Sequence, residues 1–469
     1  MWNFKNNHNI ALIQDNGEVI TYNTLNDLMF NLSTFFSKKS LVFCLCKNSI
    51  GSILGYTTFI NYHQVPLLLS YDLDESLLSN LIFTYKPNYF WIPKEKVSYF
   101  LGYRVLFNIY DYVLLKNDEA EIHELNDDLA LLLTTSGSTG SPKLVRQSYK
   151  NIESNTQSIV NYLGINSSER AITTLPMNYT YGLSIINSHL YAGATILLTD
   201  KTFFDKSFWN FFKSEKATSF GGVPYTYEIL NKLNFFRMDL PSLKTMTQAG
   251  GKLLPQLHKK FAEYAISAKK DFIVMYGQTE ATARMAYLPA DKSLKKYGSM
   301  GIAIPGGRFE LYDLNEANIT NPNVTGELVY YGDNVTLGYA EKLEDLSLGD
   351  ERKGKLVTGD MAYFDEDGYF YIVGRKKRFL KVFGNRVNLD EVERMIKDEF
   401  DVTDCACSGY DDHIYIFLID NKNIDQVKQF LINKTHLHST AFKIMAIEII
   451  PKNEAGKINY KELEKYFNE

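Results

Sequence analysis

The stretch Leu129-Ala130-Leu131-Leu132-Leu133-Thr134-Thr135-Ser136-Gly137-Ser138-Thr139-Gly140-Ser141-Pro142-Lys143 decides how the chain folds. Its apolar half has the length of a buried strand. Its polar half places small hydroxyl residues, two glycines and a lysine directly behind that strand. A loop of this kind lays backbone N–H groups and hydroxyls around phosphate oxygens, so a nucleotide is expected there. The spacing is not that of a Walker loop, because Leu144 follows Lys143 where Ser or Thr would be needed. Pro142 removes one donor and disfavours a helix start at Ser141.

On either side the pattern alternates short apolar runs with helical ones. Glu18-Val19-Ile20-Thr21-Tyr22 reads as a strand leading to Asn23 as a helix N-cap. Leu41 to Cys46 reads as a buried strand, and Ile50 to Ile60 as a helix packed on it. Leu175 to Leu190 reads as a helical segment closed by Ala192-Gly193-Ala194, with a new strand over Thr195 to Leu198. Gly221 to Tyr225 reads as a turn before another helix. Gln248-Ala249-Gly250-Gly251 and Met275-Tyr276-Gly277-Gln278-Thr279-Glu280 each follow a short strand. Strand and helix are expected to keep alternating to about Ile372. The expected class is α/β, with the site on loops at strand ends. Asp365, Asp367 and Gly368 look like a hairpin turn.

At 469 residues the chain exceeds one ordinary core, so two or three domains are expected. Hydrophobic content of 45% and charged content of 22% are those of a globular protein that dissolves in water. A net charge of −5 argues against nucleic acid as a general partner, and four basic residues at Arg375-Lys376-Lys377-Arg378 do not reverse it. No apolar run is long enough to span a membrane and the N-terminus has no apolar signal core, so a cytoplasmic location is expected. Cys44/Cys46 and Cys405/Cys407 read as buried reduced thiols, since no His or Cys cluster completes a metal set.

Six motifs then fall in one order: Thr135 to Lys143, Tyr276-Gly277-Gln278-Thr279-Glu280, Gly326-Glu327-Leu328, Thr358-Gly359-Asp360, Gly374-Arg375 and Gly456-Lys457. Their order and spacing resemble the adenylate-forming superfamily of acyl- and aryl-CoA ligases, nonribosomal peptide adenylation domains and beetle luciferases, over essentially the whole chain. The resemblance implies a large N-terminal domain of stacked β-sheets with flanking helices, residues 1–374. A small mobile α+β domain, residues 375–469, would turn about a hinge near Lys377.

The resemblance also assigns roles. Thr135, Ser136, Gly137, Ser138, Thr139, Gly140 and Lys143 would hold the phosphates of ATP. Gly250, Gly251, Tyr276 and Gly277 would receive adenine, and Asp360 and Arg375 the ribose. Glu280 would hold Mg²⁺, because a carboxylate near a triphosphate is unfavourable without an intervening cation. Thr279 would touch the α-phosphate. Lys457 would bridge the reacting carboxylate and α-phosphate, although read alone it is a solvated surface lysine. Gly384 would line the channel for the pantetheine arm of coenzyme A or of a phosphopantetheinyl carrier protein, an acyl or peptidyl carrier.

Asn178, Tyr179, Thr180, Tyr181, Tyr225, Gln248, Thr282 and Arg284 are the candidate acyl-pocket residues. Their rings, hydroxyls and amides suit a modest, partly polar carboxylic acid rather than a long alkyl chain. Many ligases of the superfamily have a histidine where this chain has Tyr179. Amino-acid-activating domains place an aspartate near Thr180, yet no acid lies between Leu175 and Thr199, so an α-amino acid is disfavoured. The expected reaction is adenylation of an acid and transfer to an external thiol. Amide formation with an amine, and a catalytically silent nucleotide sensor, are the alternatives.

Overall fold

The structure is a computed structural model that describes residues 2, 4, 7–121, 123–134, 143–313, 315–383, 385–400, 404–419, 424–452 and 458–467, the side chains of 385 and 386 excepted. These fall into two compact units. One comprises the described residues within 1–135, 141–308 and 330–356; the other comprises those within 309–329 and 357–469.

The first unit is built on two mixed sheets. In the eight-stranded sheet Leu129–Thr134, Val65–Ser70, Leu41–Cys46 and Tyr89–Pro93 run parallel, flanked by antiparallel strands. Strand Leu41–Cys46 is buried on both faces, which is why it reads as an unbroken apolar run. Its alternate residues serve different cores. Val42, Cys44 and Cys46 face a cluster shared with the second sheet, whereas Leu41, Phe43 and Leu45 face the cluster that takes Leu81 and Tyr85 of helix Glu75–Tyr85. Helix Ile50–Asn61 is buried from Ile50 to Ile60 and shares the first cluster with residues of both sheets. A helix apolar all round belongs in such an interior.

The nine-stranded sheet has a parallel centre of Asp271–Tyr276, Thr245–Gln248, Ser219–Gly222, Arg170–Ile172, Thr195–Leu198 and Ile10–Gln14. Helix Thr180–Tyr191 connects two of these strands and sends Leu183, Ile186 and Leu190 into the shared core.

The second unit holds most of a four-stranded sheet of Arg308–Tyr312, Gly326–Tyr331, Lys355–Phe364 and Phe370–Arg375, and a ribbon of Phe379–Val382 with Asn385–Asn388. Its three-stranded sheet pairs Cys405–Tyr410 antiparallel and Phe442–Ala446 parallel to His413–Leu418. Helix Leu389–Phe400 packs Leu389, Val392 and Ile396 into the cluster that contains Cys405 and Cys407.

Three local expectations are corrected. Thr21, not Asn23, caps the first helix, Tyr22–Ser33: its side chain accepts from Thr24 N, and strand Val19–Thr21 ends there. Gly221 and Gly222 close strand Ser219–Gly222 rather than forming the turn. The strand–helix alternation stops at helix Pro255–Ser267; from Ala286 to Arg375 the described residues form strands and short 3₁₀ turns. Asp365 and Gly368 do make the hairpin turn, with Gly368 N donating to Asp365 O at 2.9 Å. All four cysteines are free and buried, and burial raises each thiol pKa. Among the described residues no helix is long and apolar enough to cross a membrane.

Two histidines are buried uncharged. His189 Nδ1 faces Ile185 O at 2.8 Å, and His258 Nδ1 accepts from Gly298 N at 3.1 Å while Nε2 faces Ser293 Oγ at 3.2 Å. Burial lowers both from 6.5 to about 4. The unfolded chain therefore binds more protons between those values, and stability is lost as pH falls through that window. Up to about 3 kcal/mol per ring is at stake. Tm is expected to drop as pH is lowered from 6.5 toward 4, and His258→Gln should flatten the slope. An unchanged slope in that variant counts against the assignment.

Candidate active site

Strand Asp271–Tyr276 is the last of the parallel run, so the chain leaves its C-terminal end at Gly277, where an α/β protein assembles its site. After the 3₁₀ turn Thr279–Ala281 it doubles back antiparallel, pairing Tyr276 with Ala286. The return passes so close that a Cβ on Gly277 would lie 1.6 Å from Ala283 O. Thr282 and Ala283 take φ of 51° and 95°, in the left-handed region that side chains avoid. Asn334 clamps this turn. Its amide donates to Ala281 O at 2.7 Å and Arg284 O at 3.1 Å, and its main-chain O accepts from Thr282 Oγ1 at 2.8 Å.

The turn presents Glu280. Its main-chain O accepts from Thr336 N at 3.0 Å, Thr336 Oγ1 at 3.0 Å and Arg352 Nη1 at 3.2 Å. Its side-chain Oε1 accepts from Tyr339 Oη at 2.7 Å. Burial, and then the Glu280 charge, push the Tyr339 phenol up to about 12, so it stays a donor. Arg352 Cζ stands 4.5 Å from the centroid of the Tyr339 ring. Lys143 pairs with Glu341 Oε1 at 2.5 Å, and its Nζ is 5.7 Å from the same ring. Tyr339, Arg352, Thr336 and Asn334 were not expected from the sequence. They lie more than fifty positions from Glu280, and no local spacing links them.

The residues fit a magnesium ion carried by a nucleotide. Among the described residues no group of three or more His, Cys, Asp or Glu is placed to hold a metal ion. Glu280 Oε2, however, has no partner among them, whereas Oε1 is fixed. One oriented carboxylate plus substrate phosphates is the usual magnesium arrangement in nucleotide enzymes.

The expected acyl pocket gathers at the same strand ends. Tyr179 precedes helix Thr180–Tyr191, and Tyr181 Oη lies 2.7 Å from Thr247 Oγ1. Gly250 has φ of 84°, and a Cβ there would come within 2.5 Å of Tyr179 Oη. Burial pushes the Tyr179 phenol up to about 12. Gln248 is fully buried; its Nε2 donates to Gly251 O at 3.0 Å and its Oε1 has no partner among the described residues. Tyr225 lies on helix Pro224–Lys232 and is half exposed. Tyr276 ends its strand partly buried, its Oη accepting from Gln278 Nε2 at 3.2 Å.

In the second unit Asp360 and Arg375 face each other across paired strands. Arg375 Nε is 2.8 Å from Asp360 Oδ1, and Asp360 is buried. Asp360 N donates to Thr358 Oγ1 at 3.0 Å, which in turn donates to Leu328 O at 2.8 Å. Thr358 and Asp360 are thus held as one piece with the strand of Gly326-Glu327-Leu328. Thr135, Ser136, Gly137, Ser138, Thr139, Gly140, Gly384 and Lys457 lie outside the described residues. A strand, Leu144–Ser148, follows the loop segment and runs antiparallel to Leu129–Thr134, unlike the helix that follows a Walker loop.

Known proteins resemble the chain along this same span. It is 30% identical over 351 residues to the peroxisomal OPC-8:0-CoA ligase 1 of Arabidopsis thaliana, covering 72% of this chain and 64% of the relative. The chain thus spans less than two thirds of that relative's length. Its fold matches ATP-bound MatB of Rhodopseudomonas palustris, with TM-score 0.81, 20% identity and 99% and 97% of the two chains covered. It also matches the o-succinylbenzoate coenzyme A synthetase of Bacillus subtilis in complex with AMP, with TM-score 0.81, 20% identity and 99% and 98% covered. The profile described as AMP-binding enzyme matches residues 70–340, more than half of the chain, which therefore belongs to that family.

Proposed function

We propose that the chain is an ATP-dependent acid–thiol ligase. A carboxylate attacks the α-phosphate of ATP, pyrophosphate leaves, and a thiol then attacks the carbonyl of the acyl-adenylate and releases AMP. The observation that carries this reading is Glu280, held by Tyr339 through one oxygen while the other has no partner among the described residues, on the turn that follows a strand of the parallel run. Family membership and the relatives' names, a CoA ligase and a coenzyme A synthetase, support coenzyme A as the thiol; a phosphopantetheinyl carrier is the other acceptor this chemistry suits.

Tyr339 keeps the Glu280 carboxylate oriented, and Arg352 fixes the turn from its main-chain side. Magnesium, when bound, shields the triphosphate charge that the incoming carboxylate must approach. Asp360 and Arg375 are the ribose pair, in which Arg375 orients the Asp360 carboxylate. Lys457 neutralises charge between the reacting carboxylate and the α-phosphate. A turn near Lys377, carrying residues 375–469, would then exchange Lys457 for Gly384 at the acyl centre.

The test is acid-dependent exchange of labelled pyrophosphate into ATP across a panel of acids, followed by thioester formation with coenzyme A. Lys457→Ala should lower exchange about 100-fold or more. Thioester formation from supplied acyl-adenylate should be largely retained. Loss of both half-reactions, or unimpaired exchange, contradicts this division of labour. Exchange without thioester, but with transfer to an amine, would change the acceptor. Silence of the native protein with every acid would leave a nucleotide sensor.

A further inference from the structure

A guanidinium is costly to take out of water, and a protein that buries one normally supplies a carboxylate. Arg146 is fully buried and is paired with Glu351. Arg378, with 12% of its side chain exposed, is paired with Asp390 and Glu393. Arg284 departs from this pattern. It is 2% exposed, yet no carboxylate among the described residues forms an ion pair with it. Its Nε donates to Ser184 Oγ at 3.0 Å, and its Nη1 to Tyr162 Oη at 3.1 Å and Met275 Sδ at 3.3 Å. Its Cζ is 5.3 Å from the Tyr181 ring centroid. Every one of these partners is neutral. Nη2, which carries two N–H donors, has no acceptor among the described residues.

This burial is not incidental to a loose loop. Arg284 follows the two left-handed residues Thr282 and Ala283, and its main-chain O is gripped by the Asn155 and Asn334 amides at 2.8 and 3.1 Å. Backbone strain of this kind persists where the surroundings over-determine a position. The guanidinium is thereby fixed against Tyr181 and Ser184 of helix Thr180–Tyr191, the helix that opens the acyl pocket. The segment Leu175 to Thr199 contains no acidic residue that could approach it from that side.

We infer that the missing counter-charge comes with the substrate: the acid this chain activates bears a second anionic group, received by the free edge of Arg284 while the other carboxylate reacts. This rests on the ligase reading above. A rigid planar fork with unused donors matches a carboxylate, and binding one removes the charge imbalance. A neutral monoacid would leave the buried cation uncompensated.

The experiment measures pyrophosphate exchange by the native protein with short linear and aromatic dicarboxylic acids. Each is compared with its primary monoamide, which keeps the reacting carboxylate and the size but removes the second charge. At least one dicarboxylic acid is expected to exceed its monoamide about 100-fold in kcat/KM, mainly through KM. Arg284→Gln should collapse that ratio toward one, and Arg284→Lys should restore part of it. Monoamides or simple monocarboxylic acids that match or outperform every dicarboxylic acid overturn the inference and leave the ligase reading standing. No exchange with any acid overturns both. The native-protein ratio decides even where a variant does not fold.

Discussion

Gly277→Ala is expected to be the most damaging glycine-to-alanine change among the described residues. The added Cβ would stand 1.6 Å from Ala283 O, 2.6 Å from Ala283 C and 2.9 Å from Arg284 Cα, all backbone atoms of a turn pinned by Asn334. No rotamer change relieves such a contact. The return segment or the end of strand Asp271–Tyr276 must move, at about 4 kcal/mol or more. For a unit of this size that corresponds to a Tm lowered by about 5 °C or more. Exchange activity should fall further than stability, because Glu280 and Arg284 both hang from the displaced turn. Gly349→Ala is the control: an added Cβ there meets nothing within 4 Å. A Gly277→Ala protein with unchanged Tm would mean that the crossing is looser than its geometry states.

Glu280→Gln has the second largest expected effect, and it separates charge from shape. Glutamine can still accept from Tyr339 Oη through its carbonyl, so the turn should survive and Tm should change little. The open oxygen, however, loses its charge. The magnesium concentration for half-maximal exchange is expected to rise about tenfold, and the maximal rate to fall about 100-fold. Tyr339→Phe leaves the charge but frees the carboxylate to rotate, so a smaller shift of the same kind should follow. If Glu280→Gln titrates with magnesium as the native protein does, Glu280 is a structural residue and the metal is held elsewhere.

The legible parts of the fold were those whose signal is local. Strand Leu41–Cys46 announces itself because both faces are buried, and helix Thr180–Tyr191 because its apolar run ends at Ala192-Gly193-Ala194, although the helix starts at Thr180 rather than at Leu175. The helix start at Thr21 was misplaced by two residues because Thr21 and Asn23 can both cap, and only the end of strand Val19–Thr21 decides between them. The run of strands beyond Ala286 was read as alternating α/β because its short apolar segments carry no period long enough to exclude helices. In the site, Glu280 and Arg284 stood out as residues; their environments did not. That Tyr339 reaches Glu280 across 59 positions, and that Arg284 finds no carboxylate among the described residues, are facts of tertiary packing.

The strand that bears Tyr339 has one more consequence. Gly338–Ala340 pairs with Leu144–Ser148, which pairs with Leu129–Thr134, so Ala340, Leu144 and Thr134 occupy one row of the sheet. The two stems of the Ser/Thr/Gly loop and the tyrosine that aims Glu280 are therefore rungs of a single ladder. Their separation is counted in strand register rather than in loop length. Losing one residue from Gly338–Ala340 would shift that count by one, turn Tyr339 to the opposite face and take its hydroxyl away from the carboxylate. The register of this strand is therefore set by the carboxylate that its tyrosine has to reach.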